Sequence, residues 1–208
     1  MPTSALTVEP LCLGMLETNC FVVSAPSGRA LLIDPADEAD RITERLCARG
    51  LTLHSVLLTH GHFDHIRAVP ELVAEYHVPV LLHPADNALY RSEQNGMPPL
   101  LQALGDSLPA TVPELAEAPP ELAFDVLHTP GHTPGSVGYL FAEAGIVFAG
   151  ETLFCGGIGR SDLPGGDHEQ LLHSLRTVLL RLPDETRVCC GHGPDTTIAH
   201  ERRSNPFL

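Results

Sequence analysis

Residues 59–65 read Thr-His-Gly-His-Phe-Asp-His, and no other stretch constrains the chain as tightly. His60, His62, Asp64 and His65 fall within six positions. Val56-Leu57-Leu58, just ahead, is short and apolar, the pattern of a buried strand. Ala68 to Tyr76, just after, is amphipathic and predicts a helix. The four polar side chains therefore sit where a strand ends and a helix begins, where layered α/β folds bind ligands. In an extended segment, residues two apart point the same way, so His60 and His62 can face one metal ion. Asp64 and His65 come where the chain begins to coil and would point to one side, toward a second ion. Neutral imidazole suits zinc and iron, and carboxylate adds a hard anionic ligand. The plainer alternative is a polar turn with Asp64 as N-cap of the next helix. Four such residues this close, at the end of an apolar strand, favour the metal.

A chain of 208 residues with 43% hydrophobic content suits one sizeable globular domain, expected over residues 1–208. No apolar run approaches the ~20 residues of a membrane helix. Met1 to Pro10 has no basic residue before its apolar stretch, so no secretory signal is expected and the compartment should be the cytoplasm. The net charge is −14, and all 12 basic residues are Arg. No basic cluster exceeds Arg202-Arg203, which argues against nucleic acid as a partner. No membrane partner is expected either. Without Lys, Schiff-base chemistry through a lysine is excluded. Six Cys, at 12, 20, 47, 155, 189 and 190, form no Cys-x-x-Cys pair. A structural zinc knuckle or thioredoxin-type site is unsupported, and reduced, mostly buried thiols are expected.

In chain order, Leu11 to Leu13, Cys20 to Ser24 and Ala30 to Ile33 predict strands, with Ser27-Gly28 as a hairpin turn. Asp34-Pro35 closes the third. Asp40 to Arg49 predicts a helix with Gly50 as its C-cap. Pro79 to Leu82 predicts a strand and Pro84 to Glu93 a helix begun by proline. Gly96 to Pro120 is proline-rich, with one helical turn expected around Leu100 to Leu104. A connection of that length is either a functional flap or a plain surface loop. Phe124 to Leu127, Val137 to Phe141, Ile146 to Phe148 and Arg187 to Cys190 predict strands, and Glu169 to Leu182 a helix. Strands then helices, twice over, predict an α/β fold: two β-sheets packed face to face with helices outside, an αββα sandwich.

Three further strand ends carry ligand types. His132 stands at the tip of a turn locked by proline and glycine. Glu151 follows Ile146 to Phe148, and His192 follows Arg187 to Cys190. The alternative for each is a turn residue bonded to backbone. Four strand ends offering donors together make coincidence a poor account.

These residues resemble the metallo-β-lactamase superfamily: His60-x-His62-x-Asp64-His65, then His132, an acid at 151, and His192. Thr-Pro-Gly-His-Thr-Pro-Gly at 129–135 is similar to the glyoxalase II branch. So are Gly-Gly-Ile-Gly-Arg-Ser-Asp-Leu-Pro-Gly-Gly at 156–166 and Glu-Arg-Arg-Ser-Asn-Pro-Phe-Leu at 201–208. The resemblance implies a binuclear centre at one edge of the sandwich. By position, His60, His62 and His132 would hold one metal, Asp64, His65 and His192 the other, and Glu151 would bridge. Zinc is the first expectation for the two divalent ions, with iron or manganese as alternatives. Relatives usually carry Asp at the bridge. The extra methylene of Glu151 adds roughly 1.5 Å of reach, so either its loop retreats or one metal is held weakly. Arg67 replaces a glycine often found just after the signature. The chain stops at Leu208 without the C-terminal helical domain that helps full-length glyoxalase II enzymes bind glutathione, and looks like the short, single-domain relatives.

The expected reaction is hydrolysis of a small acyl thioester, such as an S-hydroxyacylglutathione, by metal-bound hydroxide. Two divalent ions, one hydroxide and the carboxylates of Asp64 and Glu151 leave a net positive charge for an anionic substrate and an oxyanion. Asp64 is the expected catalytic residue, orienting hydroxide. Arg160 and Asp162 are expected to brace the glycine loop. One alternative is a mononuclear iron persulfide dioxygenase using His60, His132 and Glu151. The other is a metal-binding module without catalysis.

Overall fold

The computed structural model describes residues 6–116 and 118–208. The expectation of no leader in the first ten residues thus falls partly outside the described ones. The chain divides into two compact units, the first ending at Ala123 and the second running Phe124–Leu208.

The first unit is a five-stranded mixed sheet. Its strands are β1 (Thr7–Leu13), β2 (Thr18–Ser24), β3 (Arg29–Ile33), β4 (Thr52–Leu57) and β5 (Val80–Leu81), adjacent in that order. β1, β2 and β3 pair antiparallel, while β3–β4 and β4–β5 pair parallel. The parallel pairings need crossovers, supplied by helices α1 (Ala39–Ala48) and α2 (Val69–Tyr76). Ile42, Leu46 and Leu72 from these helices share one core cluster with Val22, Leu32 and Val56 from the strands. Each such buried side chain contributes about 1.5–3 kcal/mol. Gly50 ends α1 as expected: at φ +60° it lets its own N–H reach Cys47 O and the Leu51 N–H reach Leu46 O. That pair of bonds satisfies the last carbonyls of the helix.

β4 begins four residues earlier than its apolar run predicts. Thr52 and His54 face outward while Leu53 and Ser55 are buried, the two-residue alternation of a half-buried strand. The helix predicted over 84–93 is shorter: a 3₁₀ turn Pro84–Asp86 and then α3 (Asn87–Tyr90). No helical turn spans 100–104. Met97 and Leu101 instead form an isolated bridge, and the next 3₁₀ turn is Gly105–Ser107.

The second unit holds β6 (Asp125–His128), β7 (Val137–Phe141), β8 (Ile146–Gly150), β11 (Arg187–Cys190) and β12 (Thr196–Thr197), in the order β12-β11-β8-β7-β6. β8 and β11 pair parallel and the other neighbours antiparallel. A separate small hairpin comprises β9 (Leu153–Phe154) and β10 (Gly157–Ile158). Helices α4 (His168–Thr177) and α5 (Ile198–Ser204) cover this sheet, with Leu171, Leu175 and Ile198 packed on Val147 and Val188. The helix predicted to Leu182 stops at Thr177 and tightens into a 3₁₀ turn, Leu179–Arg181. Pro183 follows, and a tightened last turn is a common helix end. α5 and β12 had no counterpart in the sequence reading.

In both units a parallel strand pair brings two chain segments out at the same sheet edge. These are the ends of β3 and β4 in one, and of β8 and β11 in the other.

Candidate metal centre

In the first unit, the edge shared by β3 and β4 gathers Asp34, His60, His62, Asp64 and His65. The rings of His60 and His62 lie edge-on, 4.9 Å between centroids, and those of His60 and His65 4.2 Å apart. Donor atoms of Asp34, His60 and His65 all lie within 4.8 Å of one another. Asp64 falls in a 3₁₀ turn, Phe63–His65, whereas α2 is capped at Ala68. The N-cap role considered for Asp64 is therefore not the one it plays. Its Oδ2 accepts from the Thr18 hydroxyl at 3.3 Å and stands 3.6 Å from His65 Nε2.

Hydrogen bonding assigns the tautomers. Asp34 is buried, and its Oδ2 accepts from His65 Nδ1 at 3.0 Å. The same oxygen accepts from the Thr59 hydroxyl at 2.6 Å, while Oδ1 accepts from the Thr59 N–H at 2.7 Å. With its only proton given to Asp34, Thr59 Oγ1 can only accept from His60 Nδ1, 3.1 Å away. His60 and His65 therefore both carry their proton on Nδ1, leaving Nε2 as the basic nitrogen. That is the carboxylate–histidine arrangement by which metal ligands are oriented.

A second device holds the backbone between the histidines. Asp86 Oδ2 accepts from the Gly61 N–H at 2.9 Å, and the Asn95 amide donates to the Gly61 carbonyl at 2.8 Å. Asn95 Oδ1 also accepts from the Phe63 N–H at 3.0 Å. Gly61 is tightly enclosed: a Cβ there would stand 3.2 Å from Tyr90 N and 3.3 Å from Asp86 O. Residues 86–95 thus brace the loop from outside.

In the second unit, His132, Glu151 and His192 come together. Glu151 follows β8 directly and reaches both imidazoles. Its Oε2 lies 3.4 Å from His132 Nε2 and its Oε1 2.9 Å from His192 Nε2. The longer side chain at 151 therefore lies between the two rings rather than overshooting them. Its main chain is closely backed, since a Cβ at Gly159 would fall 1.8 Å from Glu151 O. His132 Nδ1 donates to the carbonyl of Arg160 at 2.7 Å, which again leaves Nε2 basic. The exposed Arg160 side chain pairs with Asp162 through two bonds of 2.8 Å. That guanidinium holds the exposed Asp162 carboxyl down to about 2.

The turn bearing His132 is fixed to α4. Ser174 donates to Pro130 O at 2.7 Å and the Asp167 N–H to Gly131 O at 2.8 Å. Gly131 has φ +134°, and a Cβ there would lie 2.3 Å from Leu171 Cα. Asp167 in turn caps α4, accepting from the Gln170 N–H at 3.0 Å. The glycine between Pro130 and His132 is therefore required by both conformation and contact.

All seven donors predicted from the sequence stand in one or other of these two sets. The sequence reading missed the groups that orient them: Asp34, Thr59, Asp86, Asn95 and the Arg160 carbonyl. The one signal for Asp34 was an acid closing a predicted strand. The donor chemistry fits divalent metal, because imidazoles with Nδ1 engaged and nearby carboxylates are what zinc or iron takes.

The family model described as "Metallo-beta-lactamase superfamily" matches residues 13–192. A hydroxyacylglutathione hydrolase, GloC, of Haemophilus influenzae is 37% identical over 209 residues, covering 98% of each chain. Among solved structures, TTHA1623 in a di-iron-bound form superposes with a TM-score of 0.87 at 44% identity, covering 97% of this chain and 100% of that one. The BLEG-1 B3 metallo-β-lactamase also gives 0.87, at 37% identity, covering 97% and 99%. Among the described residues no helix is long and apolar enough to cross a membrane.

Proposed function

Because the chain belongs to the metallo-β-lactamase superfamily, we propose that it is a glyoxalase II-like hydrolase of small acyl thioesters, S-hydroxyacylglutathione in particular. The observation that carries this reading is the set of engaged Nδ1 atoms on His60, His65 and His132. Three imidazoles with Nε2 as the basic nitrogen are prepared for cations, and carboxylates stand near two of them. Support for the substrate comes from the similarity to GloC over nearly the full length of both chains. One family model running across both compact units supports treating them as one domain.

In this reading His60, His62 and His132 would hold one metal, Asp64, His65 and His192 the other, and Glu151 would serve as a further carboxylate ligand. A bound pair of divalent ions supplies hydroxide at neutral pH and Lewis acidity toward the carbonyl. The chain's own residues do the rest. Asp64, steadied by Thr18, accepts a hydrogen bond from the attacking water and so aims it. The departing thiolate is stable enough to leave without a strong general acid. Zinc is the first candidate, and iron stands beside it, since TTHA1623 has a di-iron-bound form. Six cysteines without a disulfide suit a reducing cytoplasm, where glutathione thioesters arise.

The test is turnover of S-lactoylglutathione by protein loaded separately with zinc and with iron, alongside elemental analysis. Two ions per chain and thioester cleavage, lost in His60→Ala and Asp64→Ala, are expected. Two further substrates divide the neighbouring activities: oxygen uptake with glutathione persulfide, and ring opening of a β-lactam. Turnover of either without thioester cleavage, or full activity after metal removal, would overturn the proposal.

A further inference from the structure

A second group of metal-ligating side chains lies elsewhere in the second unit. Donor atoms of Cys155, His200 and Glu201 lie within 4.8 Å of one another. We propose that these three residues form a separate thiophilic cation site, taking zinc or cadmium through one thiolate, one imidazole and one carboxylate, with water completing the shell.

The carboxylate is the first reason. Glu201 is fully buried and accepts from the Thr196 hydroxyl at 2.5 Å, the Gly156 N–H at 3.0 Å and the Asn205 amide at 2.7 Å. All three donors are uncharged. Among the described residues its one ion-pair partner is His200, with Nε2 at 3.9 Å. A carboxylate offers about four acceptor positions, so room for a cation remains. Burying such a group without a full counter-charge is costly, and a divalent ion at its rim would offset that cost.

Pre-organisation is the second reason. Cys155 sits at the tip of the β9–β10 hairpin, and His200 and Glu201 lie on α5. The Gly156 N–H to Glu201 bond and a 3.0 Å bond from Asn205 to Gly157 O already tie hairpin to helix. Zinc bonds of about 2.0–2.3 Å would set tetrahedral donors roughly 3.3–3.6 Å apart, so closing the cluster takes a shift of about 1 Å. Cys155 and His200 are exposed, which gives the ion an entry path and water. Binding replaces the thiol proton with the metal and releases that proton to solvent. Glu201 and Asn205 belong to the 201–208 motif, which the hydrolase reading leaves without a role.

The experiment is a cobalt titration of the full chain, followed through the thiolate-to-cobalt charge-transfer band in the near ultraviolet. The centre described above offers only nitrogen and oxygen donors, so this band reports the cysteine site whether or not the hydrolase reading holds. One equivalent beyond those taken up by the centre described above should produce the band. Cys155→Ser should abolish it, and His200→Ala should weaken binding at least tenfold. Cys12→Ser and Cys47→Ser should leave it intact, and Cys155→Ser should leave the thioester turnover of the zinc-loaded enzyme unchanged. No band in the wild type, or a band that survives Cys155→Ser, overturns the proposal.

Discussion

The hydroxyl of Thr59 donates to Asp34 Oδ2 at 2.6 Å, and that bond fixes which nitrogen of His60 holds its proton. Asp34→Asn keeps the shape and removes this control. In either orientation of the amide, its NH₂ confronts an existing donor, either His65 Nδ1–H or the Thr59 N–H. Metal affinity should fall about 10–100-fold, the usual loss for an orienting partner of a ligand. Chelator competition measures it, and unchanged affinity in a folded variant would refute the tautomer assignment.

Asn95 makes two of the bonds that brace the loop at Gly61 and Phe63. Asn95→Ala leaves a carbonyl and an N–H unsatisfied, at a cost of about 1–3 kcal/mol. Urea denaturation should show this loss together with weaker metal binding. A variant as stable as the wild type would mean that water replaces the amide without penalty.

Gly131 and Gly145 separate strain from collision. Both have positive φ, +134° and +66°, but only at Gly131 would a Cβ strike backbone, 2.3 Å from Leu171. Gly145→Ala should cost about 1–2 kcal/mol from conformation alone. Gly131→Ala should lower the melting temperature far more, or leave the protein insoluble. Equal melting temperatures would contradict the packing of the His132 turn on α4.

Cys12, Cys47 and Cys155 are exposed, whereas Cys20, Cys189 and Cys190 are buried. Burial pushes all three buried thiols upward, that of Cys190 to about 12 from 9.0. A thiol reagent should label three sites in the native protein and six after denaturation. The sign for stability follows. Unfolded thiols ionise near pH 9 while the buried ones stay protonated, so the native state should lose stability as pH rises above 9. Rapid native labelling of all six would show that the core opens.

The candidate donors were legible because each is a ligand type that follows an apolar strand. The long helices were legible from their stripes, as with Leu171 and Leu175. What orients the donors was not. Asp34 lies 25 positions before Thr59 and reads on paper as half of an Asp-Pro turn. Asn95 follows a pattern that continues helically to Glu93, although the helix stops at Tyr90 and turns the amide toward Gly61. α5 has seven residues, too few for periodicity to stand out. Its sequence signal is Thr197, whose hydroxyl accepts from the His200 N–H.

The group that steers His132 is a carbonyl, and every residue type at position 160 would supply one. A scan replacing side chains one by one would score Arg160 as dispensable and overlook its part in the site. Only changes that displace the main chain, at Gly159 for instance, would expose the dependence. Redesign here must therefore keep the trace of the loop, while the chemistry of its side chains is open to choice.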